Sequence, residues 1–484
     1  DATSASCSAA GSSPPTLFAH FTRGSICPRI ACARRSTSAE SFGSFAARTN
    51  SDVFAEDAAR VFAGAGCDVL LIPTAVPTPV LAFAVRHLTA DAGVMITASH
   101  NPAGDNGYKV YLGGADEGAQ IVPPTDALIH ARITAATATR FADLPRTDYR
   151  LADDSLLEAY VAATAAVAPA TPGDFPRVAY TPLHGVGLEL VKRVLDRTGF
   201  PAPSVVSSQA NPDPHFPTVS FPNPEEQGAL DAVIAHACTI GADLIVANDP
   251  DADRLAVCIP DGASFRMLTG NELGALLAWW VAERARAAGR TGTFATTFVS
   301  APALERIAQH YGFMCVRTAS GFKWIGRVPG LIYGYEEALG YLVNPDTIHD
   351  KDGISALVAV LSLATDLHRA GSSVGEKVAE LADTFGGFAG TSFSERLATS
   401  QKVATLMSTV RTRRPDSLGT TAISAAHDYL PETNLLSWQM EDDSLVLIRP
   451  SGTEPKLKLY VYANDPARAD ELAAEVQSFI ASLI

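Results

Sequence analysis

The sequence predicts an α/β protein whose sheets are largely parallel and flanked by helices on both faces. Short apolar runs such as residues 69–72 alternate with amphipathic helical stretches along most of the chain, which is typical of βαβ units. A length of 484 residues, at roughly 100–200 residues per domain, favours about three or four domains. Candidate linkers at residues 167–176, around 260–270 and at 386–392 divide the chain into four pieces.

The predicted elements begin near residue 51. The predicted strands are residues 69–72, 93–97, 178–181, 244–247, 255–259, 294–299, 331–333, 445–448 and 457–462. The predicted helices are residues 52–65, 81–88, 188–197, 230–239, 271–288, 302–311, 354–370, 374–382 and 467–480. The run at residues 69–72 is apolar throughout, as expected for a buried strand.

The composition excludes several classes of protein. The chain carries a net charge of −15, which repels the phosphate backbone and argues against nucleic acid as a partner. No apolar run reaches the roughly 18 residues of a membrane-spanning helix. The seven cysteines include no C-x-x-C pair and form no disulfide framework. We therefore expect a cytoplasmic protein that binds small molecules and neither nucleic acid nor membranes.

Residues 1–50 differ from the remainder of the chain. They hold ten serines and three cysteines but only two acidic residues, Asp1 and Glu40. No apolar core follows a basic start, so a secretory signal is not expected. The Ser- and Arg-rich, acid-poor composition is that of an organellar transit peptide, and a disturbed reading frame or gene start is a further explanation. We predict no regular structure in this segment.

The first segment with candidate catalytic residues is TASHNP, which begins at Thr97 directly after a predicted strand. It places the hydroxyl of Ser99 at the tip of a loop, with His100 beside it. It is not the G-x-S-x-G elbow of hydrolases, because Thr97 and Asn101 occupy the glycine positions. Lys109, in the NGYK sequence that follows, supplies a cation near any phosphate that the serine holds. An ordinary Ser/Asn turn is the alternative.

The second segment is DPDADR, in which Asp249, Asp251 and Asp253 end a predicted strand and Arg254 follows. Carboxylates this close require a cation or protons. Oxygen-only ligands suit Mg²⁺. An EF-hand is excluded because its sixth position would be Arg254 instead of glycine and its twelfth would be Pro260. A solvated acidic turn is the alternative, and it fits poorly between two apolar strands.

The third segment is GYEEALG, which follows the predicted strand 331–333. The carboxylates of Glu336 and Glu337, placed between glycines, can accept hydrogen bonds from paired sugar hydroxyls. A nearby SGFK loop adds the cation Lys323. Taken alone, the segment is also compatible with a plain exposed turn.

The fourth segment is RPSGT, which lies between the last two predicted strands. An arginine, two hydroxyls and glycine-freed backbone N–H groups form a site for a phosphate dianion, with Arg449, Ser451, Gly452 and Thr453 as the binding residues. A basic hairpin turn is the alternative.

Together these segments describe phosphoryl transfer to a phosphorylated polyol, and the chain resembles the phosphoglucomutase/phosphomannomutase (α-D-phosphohexomutase) family. The matching sequences occur in family order over about residues 48–484 and are TASHNP, NGYK, DPDADR, SGFKWIG, GYEEALGY and RPSGTEPK. YTPLHGVG at 180–187 and DKDG at 350–353 resemble the subgroup that contains phosphopentomutases and some bacterial phosphoglucomutases and phosphomannomutases.

The resemblance implies four domains around a central cleft, three with mixed or parallel sheets and a smaller C-terminal α+β domain. The expected boundaries are 51–168 for domain I with the phosphoserine loop, 172–263 for domain II with the metal loop, 264–385 for domain III with the sugar loop, and 388–484 for domain IV with the phosphate loop. Residues 1–50 are an atypical N-terminus.

The resemblance also implies a mechanism. Ser99 would carry the phosphoryl group, and one Mg²⁺ per chain would be held by Ser99, Asp249, Asp251 and Asp253. The phosphoserine would convert a sugar monophosphate into a bound 1,6-bisphosphate, which is also the primer, and then recover a phosphoryl group from its other end.

The roles that the resemblance implies for the remaining residues surround this serine. His100, Lys109 and Arg254 would assist catalysis, with Lys109 as the proton-transfer partner, while Lys323, Glu336 and Glu337 would bind the substrate. Arg449, Ser451, Gly452 and Thr453 would hold the phosphate that does not react. The chain would act on small sugar phosphates as a monomer or homodimer.

The chain departs from the family pattern at its start. Of the opening Gly/Arg-rich segment, strand and G-Y-D-x-R-x-x-S sequence, only Arg48 and Ser51 are present. We therefore expect a strand to be missing beside the one that carries Ser99, with weakened folding or activity as the result. Some family members also carry a histidine where this chain has Gly340-Tyr341, so no base is assigned there.

Several alternatives remain open from the sequence. The substrate is a hexose phosphate of glucose or mannose, or a pentose phosphate. A magnesium-dependent phosphatase, in which water takes the phosphoryl group from Ser99, is a rival enzyme. An inactive sugar-phosphate-binding relative is the rival outside catalysis, favoured by the unusual N-terminus.

Overall fold

A computed structural model describes residues 7–8, 40–168, 174–386, 389–431, 433–451 and 454–484. The chain forms two compact units. The larger unit contains the described residues up to 270 together with 322–374, and the smaller unit contains 271–321 and 375–484. Within the described residues, no helix combines the length and the apolarity needed to cross a membrane.

The described strands are numbered along the chain. They are β1 (Cys7–Ser8), β2 (Glu40–Phe45), β3 (Asp68–Leu71), β4 (Ala92–Ile96), β5 (Asp105–Asn106), β6 (Tyr108–Leu112), β7 (Ala119–Gln120), β8 (Arg150–Leu151), β9 (Val178–Thr181), β10 (Ser204–Val205), β11 (Leu244–Asn248), β12 (Leu255–Asp261), β13 (Ser264–Met267), β14 (Thr293–Thr297), β15 (Met314–Thr318), β16 (Leu331–Glu336), β17 (Gly340–Leu342), β18 (Ala389–Arg396), β19 (Ser417–Leu418), β20 (Thr421–Asp428), β21 (Leu436–Met440), β22 (Leu445–Pro450) and β23 (Lys456–Ala463).

The described α-helices are numbered in the same way. They are α1 (Ser51–Gly64), α2 (Thr78–His87), α3 (Thr125–Ala136), α4 (Asp154–Ala165), α5 (Gly187–Thr198), α6 (Asp231–Ile240), α7 (Gly270–Ala287), α8 (Ala303–Tyr311), α9 (Phe322–Ile325), α10 (Gly353–Arg369), α11 (Val374–Phe385), α12 (Ser400–Thr412) and α13 (Pro466–Ala481).

The first sheet of the larger unit has six strands in the order β7-β6-β4-β2-β3-β8. Its centre is parallel, because β2 pairs with both β4 and β3 in that direction. Strand β4, which leads into the TASHNP loop, is buried over its whole length. The apolar face of α1 packs on this sheet through small and aromatic side chains such as Ala58, Ala59 and Phe62.

The expectation that a strand is missing beside β4 is wrong. Strand β2 occupies that position and pairs from Ser41 to Phe45 with β4. Its sequence is ESFGSF, and a Cβ at Gly43 would lie 3.1 Å from the Leu71 side chain, which would have to shift to accommodate it. Residues 40–45 therefore belong to the first sheet.

The second sheet of the larger unit has five strands in the order β10-β9-β11-β12-β13. Strands β10, β9 and β11 are parallel, and β11, β12 and β13 are antiparallel. The DPDADR segment is the turn between β11 and β12. The predicted linker around 260–270 is wrong in part, because it contains the turn and second strand of the β12–β13 hairpin.

The larger unit is completed by the β16–β17 hairpin and the long helix α10. The carboxylate of Asp352 caps α10 by accepting hydrogen bonds from the backbone N–H groups of Ile354 and Ser355. It also accepts a hydrogen bond from the hydroxyl of Tyr160 on α4. This cap therefore ties the DKDG segment to the helix that follows the first sheet.

The smaller unit contains an antiparallel sheet of six strands in the order β18-β23-β22-β21-β20-β19. Helices α12 and α13 cover one face of this sheet around buried residues such as Trp438 and Val461. The RPSGT segment connects β22 and β23. Strand β18 begins within the predicted linker 386–392, and the parallel pair β14–β15 belongs to the same unit.

Candidate active site

The TASHNP loop holds Ser99 in an unusual backbone conformation. Ser99 has a φ of 51°, in the left-handed region that costs a non-glycine residue about 1–3 kcal/mol. The backbone N–H of Ser99 donates to Oγ1 of Thr97 at 2.9 Å. The hydroxyl of Ser99 donates to Oδ2 of Asp249 at 3.2 Å. The geometry therefore brings the predicted phosphoryl carrier to the predicted metal ligands.

The acidic turn places three carboxylates at one point. Asp249, Asp251 and Asp253 are completely buried, and one oxygen of each lies within 4.8 Å of the others. Ala252 between them adopts a φ of 52°, which turns the chain so that the alternating acids point to the same side. A buried group of like charges requires compensation by cations.

Three basic side chains provide part of this compensation. Nζ of Lys109 lies 2.9 Å from Oδ2 of Asp251 and 2.7 Å from Oδ2 of Asp253. Nζ of Lys351 lies 3.2 Å from the same oxygen of Asp253. Nε of Arg254 lies 3.9 Å from both Asp249 and Asp253. Three fixed positive charges thus face three carboxylates.

The pKa shifts of these groups follow from burial and from the neighbouring charges. Burial opposes ionisation of Asp251, but Lys109 and the hydroxyl of Thr78 hold its pKa well below the usual range. Burial and the two other carboxylates raise the pKa of Asp249. Burial disfavours the charged form of Lys109, and Asp251 and Asp253 outweigh it, so its pKa is raised. The two carboxylates therefore favour the protonated form of Lys109.

The acidic turn fits a divalent cation. Within the described part of the chain, Oδ1 of Asp251 and Oδ1 of Asp253 are buried without a hydrogen-bond partner. Such atoms are costly unless another group satisfies them. Oxygen atoms from carboxylates are the ligands that Mg²⁺ prefers. Burial and the other two carboxylates, which raise the pKa of Asp249, also favour a positively charged ligand at this turn.

His100 lies against the hydroxyl of Ser99. Its Nδ1 is 3.2 Å from Oγ of Ser99, and its ring packs against Phe221. Burial, followed by the charge of Arg254, holds the pKa of His100 well below its usual value. The imidazole is therefore neutral at pH 7 and can form a hydrogen bond with the serine oxygen.

The GYEEALG hairpin lies beside the acidic turn. Arg254 forms an isolated β-bridge with Gly340, and a Cβ on Gly340 would lie 2.9 Å from Oε1 of Glu336. Burial raises the pKa of Glu336 to about 7, although Lys351 and Arg254 oppose this shift. The structure thus brings Glu336 to the electrostatic neighbourhood of the acidic turn.

Two other predicted substrate residues belong to the larger unit. The backbone carbonyl of Glu337 packs against Gly270, where a Cβ would lie 1.8 Å from its oxygen. Lys323 lies on the short helix α9, where burial lowers its pKa while Asp126 opposes that effect.

The predicted phosphate loop belongs to the smaller unit. Nη1 of Arg449 donates to Oγ of Ser320 at 2.8 Å, which joins the RPSGT and SGFK sequences. Oγ of Ser451 accepts from the backbone N–H of Glu454 at 3.3 Å. Gly452 and Thr453 lie outside the described residues.

Three residues that contact the acidic turn or the TASHNP loop were given no role from the sequence. Thr78 donates to Oδ2 of Asp251 at 2.6 Å, and the Pro-Thr-Pro sequence at the start of α2 marks its position. Lys351 was visible in the DKDG sequence, and Arg48 was one of the two residues of the opening pattern that this chain keeps.

Comparison with family models gives matches over most of the chain. Models of phosphoglucomutase/phosphomannomutase α/β/α domains I, II and III match residues 47–140, 158–262 and 269–385. The model of the C-terminal domain matches residues 412–478.

Curated relatives cover most of the chain as well. A Haemophilus influenzae protein named probable phosphomannomutase is 44% identical over 88% of this chain and 89% of its own length. Human phosphopentomutase is 32% identical over 89% of this chain and 78% of its own. A Staphylococcus aureus phosphoglucomutase is 30% identical, with coverage of 89% and 82%.

A solved structure shows the same fold. A phosphoglucomutase/phosphomannomutase family protein from Burkholderia thailandensis matches with a TM-score of 0.77 at 18% identity. The match covers 99% of this chain and 96% of that one.

Proposed function

Because the chain belongs to the phosphoglucomutase/phosphomannomutase family of isomerase-class phosphotransferases, we propose that it interconverts hexose 1-phosphate and hexose 6-phosphate. Glucose, mannose or both are the sugars. The observation that carries this proposal is the distance of 3.2 Å between the hydroxyl of Ser99 and Oδ2 of Asp249. A separation beyond about 10 Å, far outside metal bonding at ~2.1 Å, would have opposed it.

In the proposed reaction, Ser99 carries the phosphoryl group. The bond between phosphorus and Oγ of Ser99 breaks while the free hydroxyl of the sugar monophosphate forms a new bond to phosphorus, and the proton of that hydroxyl passes to the released oxygen of Ser99. The resulting 1,6-bisphosphate turns over and returns its other phosphoryl group to Ser99, so that the isomer is released. The same bisphosphate primes an enzyme whose serine is unmodified.

The residues around Ser99 stabilise this transfer. Asp249, Asp251 and Asp253 together with the Ser99 side chain would hold one Mg²⁺, which supplies charge neutralisation for the transferring group when bound. The raised pKa of Lys109 favours its protonated form, so we assign it charge stabilisation in place of the proton transfer that the family resemblance implied. His100 is neutral and 3.2 Å from the serine oxygen, so it is placed to exchange a proton with that oxygen.

Substrate contacts are assigned to the remaining loops. Glu336 accepts hydrogen bonds from the sugar hydroxyls, with Glu337 and Lys323 as further substrate residues. We assign the phosphate that does not react to Arg449 and Ser451, and to Gly452 and Thr453 on the basis of their sequence.

Phosphopentomutase activity is the second candidate. Human phosphopentomutase is 32% identical over 89% of the chain, which favours a pentose phosphate as substrate. An inactive sugar-phosphate-binding relative was a further alternative, favoured by the unusual N-terminus. It loses its main support because strand β2 is present beside β4 in the first sheet.

A coupled assay tests the proposal. Glucose, mannose and ribose 1-phosphates are compared with Mg²⁺ and the matching bisphosphate primer, and inorganic phosphate is measured in parallel. We expect primer-dependent isomerisation without phosphate release. Phosphate release without isomerisation would show a phosphatase instead.

The serine is tested directly by mass spectrometry of a peptide covering residues 93–109. We expect a phosphorylated Ser99 in the primed enzyme and a loss of activity of at least 1,000-fold in Ser99→Ala, on the order of the loss for a missing nucleophile. Ser264→Ala, at an exposed position on β13, is the matched control. A phosphate-free peptide from a fully active enzyme would contradict the proposal.

A further inference from the structure

We propose that Arg48 is a positioning residue, which holds the loop of residues 97–105 so that Oγ of Ser99 faces the acidic turn. This inference rests on the proposed role of Ser99 as the phosphoryl carrier. It concerns the guanidinium group and the backbone carbonyls of the loop, and it involves no contact with the substrate.

The guanidinium of Arg48 makes four hydrogen bonds to this loop. Nη1 donates to the backbone carbonyls of Pro102 at 2.8 Å and Asp105 at 3.2 Å. Nη2 donates to the carbonyls of Ser99 at 2.7 Å and Asn101 at 2.6 Å. The planar fork of the guanidinium suits this arrangement, because it presents several N–H donors in fixed directions.

Arg48 is itself held in place. Its side chain is buried, and the guanidinium carbon lies 5.0 Å from the centre of the Phe216 ring. Burial lowers the pKa of Arg48 to about 10, while Asp251, Asp105 and Asp249 oppose that effect. The group is therefore charged at neutral pH, and its four bonds are charge-assisted.

The loop conformation depends on these bonds. Four carbonyl oxygens converge on the guanidinium, and their negative ends would repel one another if it were removed. The loop's own backbone bonds described in the structure, from Asn101 to Ala98 and from Asp105 to Pro102, close two turns but do not fix the carbonyl of Ser99. Since Ser99 has a φ of 51°, loss of its carbonyl partner would favour relaxation away from Asp249.

A second contact from the same segment supports the assignment. Nδ2 of Asn106 lies 3.0 Å from Oγ of Ser51 and 3.0 Å from the carbonyl of Thr49. The turn that joins β2 to α1 therefore binds the loop both through Arg48 and just beyond its end. Arg48 and Ser51 are the two residues of the opening pattern that the chain retains.

The test compares three substitutions of Arg48, by methionine, lysine and alanine. In Arg48→Met we expect kcat to fall about 100-fold, since a misplacement of about 1 Å at a reacting group costs that much. We expect KM to change by less than about threefold, because substrate contacts are intact. In Arg48→Lys, which keeps the charge but makes fewer hydrogen bonds, the fall in kcat should be roughly tenfold.

Added guanidinium ion at millimolar concentration should restore part of the kcat of Arg48→Ala, which a loss of general stability would not allow. Arg60→Met, on the exposed face of α1, is the matched control and should keep the wild-type kcat. If Arg48→Met does not fold, Arg48→Lys decides the question by its kcat and KM.

Wild-type kcat in folded Arg48→Met or in Arg48→Lys would overturn the inference. A change confined to KM would also overturn it. Failure of the proposed function is distinguishable, because the wild-type enzyme would then show neither primed isomerisation nor a phosphorylated Ser99.

Discussion

At the scale of single residues, burial changes the protonation of Glu336, the carboxyl group proposed to bind the sugar hydroxyls. Burial raises its pKa to about 7, so the carboxyl is largely protonated at pH 6 and largely ionised at pH 8. The ionised form accepts hydrogen bonds with both oxygens, whereas the protonated form donates one of its own. Binding of sugar hydroxyls should therefore strengthen as the pH rises through 7.

A pH profile tests this expectation. We expect the KM of the wild-type enzyme to decrease as the pH rises from about 6 to about 8. The KM of Glu336→Gln should lack the part of this decrease that comes from ionisation of Glu336. The phosphate of the substrate titrates in the same range for both enzymes, so the difference between their profiles isolates Glu336. Identical profiles would show that Glu336 does not bind the substrate in its ionised form.

At the scale of an element, the N-terminus of α10 depends on Asp352. Its carboxylate caps the helix and also accepts the hydroxyl hydrogen of the buried Tyr160. Loss of a cap costs about 1 kcal/mol, and a buried hydroxyl without a partner costs about 1–3 kcal/mol more.

Asp352→Ala should therefore lower the local opening free energy at the Ile354 and Ser355 amides by about 2–4 kcal/mol. Hydrogen exchange at these amides measures it. Asp153→Ala is the control, because Asp153 is an exposed cap whose hydrogen bonds within the described residues come from Ser155. It should cost about 1 kcal/mol at the start of α4. Equal effects of the two substitutions would contradict the double role of Asp352.

Elements with strong apolar patterns were predictable from the sequence. Strand β9 has the predicted bounds, and β4 and β11 end within one residue of their predicted ends. The loops that follow β4 and β11 could be assigned because a polar cluster directly follows a buried strand. The short strand β17 escaped prediction because its three residues carry too little pattern.

Strand β2 could not be predicted for a different reason. Serine and glycine have weak β-propensity, and this strand is stabilised by pairing on both sides with strands that lie later in the chain. Arg48 shares this limitation, since a single arginine gives no sign that four distant carbonyls will converge on it. Contacts with residues distant in the sequence therefore determine both the strand and the role of the arginine.

At the scale of the whole molecule, the residues to which the proposed function assigns roles are found in each of the two units. Ser99, the acidic turn, Lys351 and Glu336 belong to the larger unit, whereas Arg449 and Ser451 belong to the smaller one. Binding of a divalent cation at the acidic turn should therefore stabilise the unit that contains it.

Thermal unfolding measures this stabilisation. At matched ionic strength, Mg²⁺ at 100 times its dissociation constant should stabilise the phosphorylated wild-type enzyme by about 2.7 kcal/mol. Asp253→Asn should lose the magnesium-dependent rise in the unfolding midpoint, whereas Asp261→Asn, at the exposed end of β12, should retain it. An equal rise in Asp253→Asn would remove that carboxylate from the metal ligands.

The positive charges of Lys109, Lys351 and Arg254 face the negative charges of three aspartates. This arrangement affects how an enzyme that has lost its phosphoryl group would be phosphorylated again. In the proposed reaction, a phosphoserine would add nearly two negative charges and Mg²⁺ would add two positive ones, so either alone would leave this buried cluster with excess charge. Together they restore electroneutrality. An enzyme molecule that loses its bisphosphate to solvent would consequently tend to release its magnesium as well, and both would have to return before the next turnover.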